Sequence, residues 1–103
     1  MKLIELNLDK IYELCRKYKV KTLSVFGSIL TDRFNDKSDV DLLVDFLPFD
    51  PDSLEFDYFQ NYWDFHKSLV NLLGREVDLI EDGEQLNPYF RHCVYKKKQV
   101  IYG

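Results

Sequence analysis

The stretch from Val25 to Val44 constrains this chain more than any other. An apolar pair, Val25-Phe26, runs into Gly27-Ser28; ten residues follow, and then Asp39-Val40-Asp41 leads into Leu42-Leu43-Val44. Successive side chains of a strand point to opposite faces, so Asp39 and Asp41 share one face and Val40 and Leu42 the other. Carboxylates two residues apart on a strand lie roughly 6.5–7 Å from each other, within reach of the same hard cations. Gly27 lets the backbone approach a ligand closely, and Ser28 can cap a following helix whose N-terminus favours phosphate. One end of the stretch suits phosphate oxygens and the other suits magnesium.

Gly-Ser, a ten-residue gap and Asp-x-Asp on a strand resembles the signature of nucleotidyltransferases with the DNA polymerase β fold. The Gly74-Arg75-Glu76-Val77-Asp78-Leu79-Ile80 segment and the run from Leu86-Asn87-Pro88 to Tyr102 narrow this further. Together they resemble the minimal nucleotidyltransferases that act as antitoxins beside HEPN-domain toxins. The resemblance implies an α/β (α+β) fold, a small mixed β-sheet flanked by helices, over a single domain spanning residues 1–103. It also implies a third carboxylate on the neighbouring strand, at Asp78. Glu76 has the same parity and competes for that role, but the match to the family's Val-Asp-Leu segment favours Asp78.

The chain departs from the family after Gly27-Ser28. Members continue with Ala-Arg-Gly after one intervening residue, where this chain has Leu30-Thr31-Asp32. The expected cation is absent and an acid stands one position later. Either Arg33 takes its place, or triphosphate binding is weakened.

Composition limits the substrate. The 103 residues suffice for one core and leave none for a separate acceptor-binding domain. The net charge of −4 argues against a polynucleotide substrate, because phosphate neutralisation dominates such affinity. A nucleoside triphosphate is compatible, since bound magnesium offsets its charge. There is no apolar run near 18 residues and the acidic opening does not suit a signal peptide, so a cytoplasmic protein without membrane contact is expected. Cys15 and Cys93 are expected as two buried thiols rather than a disulfide.

In chain order, Asn7 or Asp9 caps a first helix bearing Ile11, Leu14, Cys15 and Tyr18 on one face. A strand over Val20–Phe26 follows, then a short helix from Ser28 to about Phe34, a turn at Asn35–Ser38 and a strand over Asp39–Phe46. Asp52 and Glu55 form a capping box for a helix from about Ser53 to Leu73, stopped by Gly74. That helix carries two apolar stripes: Phe56, Phe59, Trp63, Val70 and Leu73, and Tyr58, Tyr62, Phe65, Leu69 and Leu72. It has more to bury than one sheet face covers: either the helix is deeply buried in a small fold, or a partner protein takes the rest. His66 has no metal-ligand neighbour at helical spacing and is structural or at the surface. Arg75–Ile80 makes a strand, Asn87 caps a helix to about Lys97 with Pro88 at its first position, and Gln99–Tyr102 closes as a strand or tail.

The chemistry implied by the resemblance is transfer of AMP from ATP to a tyrosine hydroxyl of the HEPN toxin. Asp39 and Asp41 would bind two Mg²⁺ ions (or Mn²⁺), with Asp78 completing one shell near the attacking hydroxyl. Gly27, Ser28 and Arg33 would hold the nucleotide. A second reading is an antitoxin that silences its partner by binding alone; a small-molecule nucleotidyltransferase is a third. Base preference and self-association are left open.

Overall fold

The computed structural model describes residues 2–49, 52 and 55–103; of residues 55 and 56 only the backbone is described. Nine elements follow in order: α1 (Lys2–Leu6), α2 (Leu8–Lys17), β1 (Val20–Phe26), a 3₁₀ turn (Gly27–Leu30), β2 (Val40–Phe46), α3 (Glu55–Leu73), β3 (Val77–Glu81), α4 (Pro88–Lys97) and β4 (Gln99–Tyr102). The sheet order is β3-β2-β1-β4. β1 runs antiparallel to β2 and to β4, while β2 and β3 are parallel. Parallel neighbours need a long crossover, which α3 supplies. This is the mixed sheet with flanking helices that the sequence implies.

The strands are two-sided. Val40, Leu42, Val44 and Phe46 of β2 are buried, as are Leu23 and Val25 of β1 and Val77 and Leu79 of β3. They join Ile11 and Cys15 of α2 and Phe65, Leu69 and Leu73 of α3 in one core cluster. The Cys15 thiol is pushed up to about 12, chiefly by burial, so it behaves as a small apolar group. Cys93 is exposed, against the expectation of two buried thiols; its place on the outer side of α4 gives it nothing to pack against.

The opposite sheet face meets α4. Phe90 sits edge-on to Phe26 with centroids 6.2 Å apart, and Arg91 forms a 3.1 Å ion pair with Asp82 just beyond β3. As expected, Asn87 caps this helix, its side chain accepting from the amides of Tyr89 and Phe90, with Pro88 at the first position. Lys96 and Lys97 occupy the last turn, and the Lys98 ammonium lies over the Tyr95 ring.

Four local expectations change. A short helix, α1, precedes the predicted one, and Asn7 stands at its junction with α2. Its side chain does not cap α2; the amide donates back to the Leu3 carbonyl at 2.8 Å. The helix expected from Ser28 to Phe34 is only the 3₁₀ turn ending at Leu30, and Ser28 lies inside it rather than capping it. The Thr31 hydroxyl and amide both donate to the Ser28 carbonyl, closing the turn before a second one can form. β2 starts at Val40 and β3 at Val77, leaving Asp39 and Arg75–Glu76 in the approaches to the strands.

The expected start of the long helix at Ser53 lies outside the described residues, and so does the side chain of Glu55 for the capping box. Its end is as expected: Gly74 takes φ +67° and its amide donates to the Val70 carbonyl. The first stripe is split along its length, with Leu73 buried in the core. Phe65 and Leu69 go into the core, whereas Phe59 and Trp63 remain 50% and 60% exposed.

Candidate active site

Two acids sit level at the start of the parallel strand pair, and a third stands just before it. The register matches Val40 with Val77 and Asp41 with Asp78, so Asp41 and Asp78 project from the face opposite α2 and α3. Asp39 precedes β2 by one residue, has the parity of Asp41 and is exposed. The Asp41 carboxyl is held above its ordinary value, first by burial and then by the negative charges of Asp78 and Asp39. The charges of Asp78 and Asp39 thus raise the cost of charging Asp41.

Gly27 closes this group from the β1 side. Phe26 is the register partner of Asp41, and the next residue, Gly27, has φ +78°. A Cβ placed on Gly27 would lie 2.2 Å from Asp41 Oδ2. Glycine is required here twice over, by the backbone angle and by the carboxylate packed against it. Ser28 is half-buried in the same turn.

Arg33 lies further along the loop between Ser28 and Asp39 and is exposed. Its amide donates to Thr31 Oγ1, and its carbonyl accepts from the Asn35 side chain. The structure thus brings Gly27, Asp39, Asp41 and Asp78 together, while Arg33 is exposed on the loop that leads to Asp39. Among the described residues, no three of His, Cys, Asp and Glu are drawn in tightly enough to form a ready-made metal cage. The donor set is nonetheless all carboxylate, open on one side, and crowded with like charge that a divalent ion would neutralise. Those features fit magnesium and give no footing to zinc.

Two further parts of the site escape sequence reasoning. Arg75, read as the first residue of a strand, instead donates to the carbonyls of Asn35 (3.0 Å) and Ser38 (3.1 Å). Its guanidinium also lies 4.8 Å over the Phe34 ring. Partners 37 and 40 residues away leave no local signal. Arg75 and Asp39 line the same open cleft of about 560 Å³ beside the acids, together with Asn71 and Gly74.

The outer edge of β3 is sealed by α3. His66 Nε2 donates to the Val77 carbonyl at 2.8 Å, and the Tyr62 hydroxyl donates to that of Leu79. His66 is thus structural, one of the two alternatives read from sequence. Tyr62 stays protonated, since burial and then the charge of Asp78 push its phenol up.

Residues 9–103 match the family described as "Polymerase beta, Nucleotidyltransferase". The chain belongs to that nucleotidyltransferase family. Its curated relatives include two proteins of Methanocaldococcus jannaschii named "putative protein adenylyltransferase". One is 38% identical over 86 residues, covering 84% of this chain and 79% of the relative. The other is 33% identical over 104 residues, covering 93% and 97%. Among solved structures, a "putative minimal nucleotidyltransferase" superposes with TM-score 0.73 at 23% identity, covering 95% of this chain and 92% of that one. A toxin–antitoxin crystallised with AMP-PNP gives TM-score 0.69 at 23% identity over 94% and 73%. The toxin–antitoxin MntA–HepT gives 0.63 at 23% over 96% and 72%. The nucleotidyltransferase fold read from the Gly-Ser and Asp-x-Asp spacing is thereby established.

Proposed function

We propose that this nucleotidyltransferase transfers AMP from ATP to a tyrosine hydroxyl of a HEPN-type partner toxin and thereby acts as its antitoxin. The observation that carries the reading is the level placement of Asp41 and Asp78 on adjoining strands, with Asp39 and Gly27 beside them. The adenylyltransferase names of its relatives and the toxin–antitoxin context of its structural neighbours support the reaction class and the partner class.

Asp39 and Asp41 would hold two Mg²⁺ ions, or Mn²⁺, and Asp78 would complete the shell nearer the acceptor. When bound, the metal neutralises charge on the α-phosphate and on both the attacking and leaving oxygens. The chain's own contribution is positioning. Gly27 and Ser28 would present backbone to the β- and γ-phosphates on the β1 side, and Arg33 is the first cation after them along that loop. Asp78, on the outer strand, faces the acceptor and takes its proton. The tyrosine oxygen bonds to the α-phosphorus, the bond to the bridging oxygen breaks, and pyrophosphate leaves.

A second reading is favoured by one observation. Thr31 spends its hydroxyl on closing the 3₁₀ turn and Asp32 is exposed, so this loop presents Arg33 as its sole cation before Lys37. Weak triphosphate binding would leave an antitoxin that works by binding alone. Intact-mass spectrometry of the co-expressed toxin separates the two. An added AMP that disappears with Asp41→Asn supports transfer; an unmodified toxin in a tight complex supports binding alone.

A further inference from the structure

We infer that Arg75 is a positioning residue for the nucleotide reaction, acting through Asp39; this rests on the reading of Asp39 as part of the metal–nucleotide site. Asp39 lies outside β2, so the sheet's ladder does not hold it. It is exposed and sits at the end of a loop that begins at Thr31. Such a carboxylate is fixed only as well as the backbone that carries it.

Arg75 supplies that fixation. One guanidinium nitrogen, Nη1, donates to the carbonyls of Asn35 and Ser38, and the guanidinium lies over the Phe34 ring. Ser38 is the residue immediately before Asp39. A turn is closed within the same span: the Ser38 amide donates to the Asn35 carbonyl, the Asn35 amide to the Ser38 hydroxyl, and the Lys37 amide to the Asn35 side chain. Arg75 ties this prefolded turn to the entrance of β3, two residues before Val77 and three before Asp78. Together with the backbone bond from the Val40 amide to the Glu76 carbonyl, this side chain sets the spacing between the approach to Asp39 and the approach to Asp78. A lysine could donate to both carbonyls from its ammonium but would lack the planar guanidinium that lies over Phe34.

Groups that orient metal-binding side chains from behind typically matter by about 10–100-fold in metal affinity. The test is a double-mutant cycle in binding, not turnover, using magnesium with α,β-methylene ATP, which cannot transfer its nucleotide. Arg75→Ala is expected to weaken binding by about tenfold, with Arg75→Lys and Phe34→Leu in between. In an Asp39→Asn background Arg75→Ala should add almost nothing, because the residue it positions is already lost. A purely structural role would instead lower the melting temperature and leave the cycle additive.

Equal binding by wild type and Arg75→Ala, or the same loss in both backgrounds, would overturn the inference. If Arg75→Ala does not fold, the cycle is run with Phe34→Leu and Arg75→Lys against the same criterion. A wild-type protein that binds no magnesium–nucleotide would instead remove the functional reading on which the inference stands.

Discussion

Asp41 Oδ2 occupies the space that the side chain of any residue other than glycine would need at position 27, 2.2 Å from where its Cβ would lie. Gly27→Ala therefore has to move the carboxylate as well as adopt φ +78°. We expect a loss of about 1–3 kcal/mol in chemical denaturation, from the strained backbone angle. Transfer activity should fall much further than that destabilisation accounts for. Activity measured well below the unfolding midpoint would separate the two effects.

The raised Asp41 carboxyl makes stability depend on pH. Between the ordinary value of 3.8 and the higher folded value, the native state holds more protons than the unfolded chain. The unfolding free energy then falls as pH rises through that window, and the loss is complete above the folded value. Asp41→Asn should flatten this part of the profile and raise metal-free stability at neutral pH. Glu81 is also raised, by burial first and then by Asp45, and contributes a slope of the same sign. It is present in both proteins, so the difference between their melting curves isolates Asp41. Added magnesium should raise the melting temperature of the wild type and not of the variant.

The seal along β3 can be opened one bond at a time. Tyr62→Phe removes the donor to the Leu79 carbonyl, and His66→Leu removes the donor to that of Val77. Each should cost about 1–2 kcal/mol in denaturant unfolding. The double variant presents two unpaired carbonyls on an edge strand, and light scattering should reveal concentration-dependent association that neither single variant shows.

The exposed aromatics of α3 give a different signature. Phe59 and Trp63 form a small cleft of about 220 Å³ with Tyr58, Tyr62 and Glu81. Trp63 packs edge-on against Tyr62 and His66. Phe59→Ala with Trp63→Ala should cost about 1 kcal/mol of stability or less. The same pair should weaken binding of the proposed partner toxin by more than about tenfold, as aromatic anchors at interface centres do. Calorimetric titration of the toxin into each protein would decide it.

Sequence patterns that are local and periodic were readable here, and those made across the fold were not. β1 is found over the residues that its β-branched run predicts, and the Asn87-Pro88 cap lies where its chemistry requires. Asp39 and Asp41 were placed on one side by strand parity alone. The level pairing of Asp78 with Asp41 needed a family resemblance, because the register between two parallel strands is set by the long crossover. The 3₁₀ turn was mistaken for a longer helix because Ser28 is a good cap in isolation, while Thr31 competes for the same backbone. Arg75 was invisible for a simpler reason: each of its partners lies more than thirty residues upstream.

Pairing Val40 with Val77 makes the connection Gly74-Arg75-Glu76 a ruler whose parity matters more than its length. Insertion or deletion of one residue there would rotate β3 by half a turn, sending Asp78 under α3 and lifting Val77 and Leu79 into water. A two-residue change would keep the acid on its own side yet carry it about 6.6 Å along the strand, out of step with Asp41. Length variation at this joint is thus closed to a working enzyme in either direction.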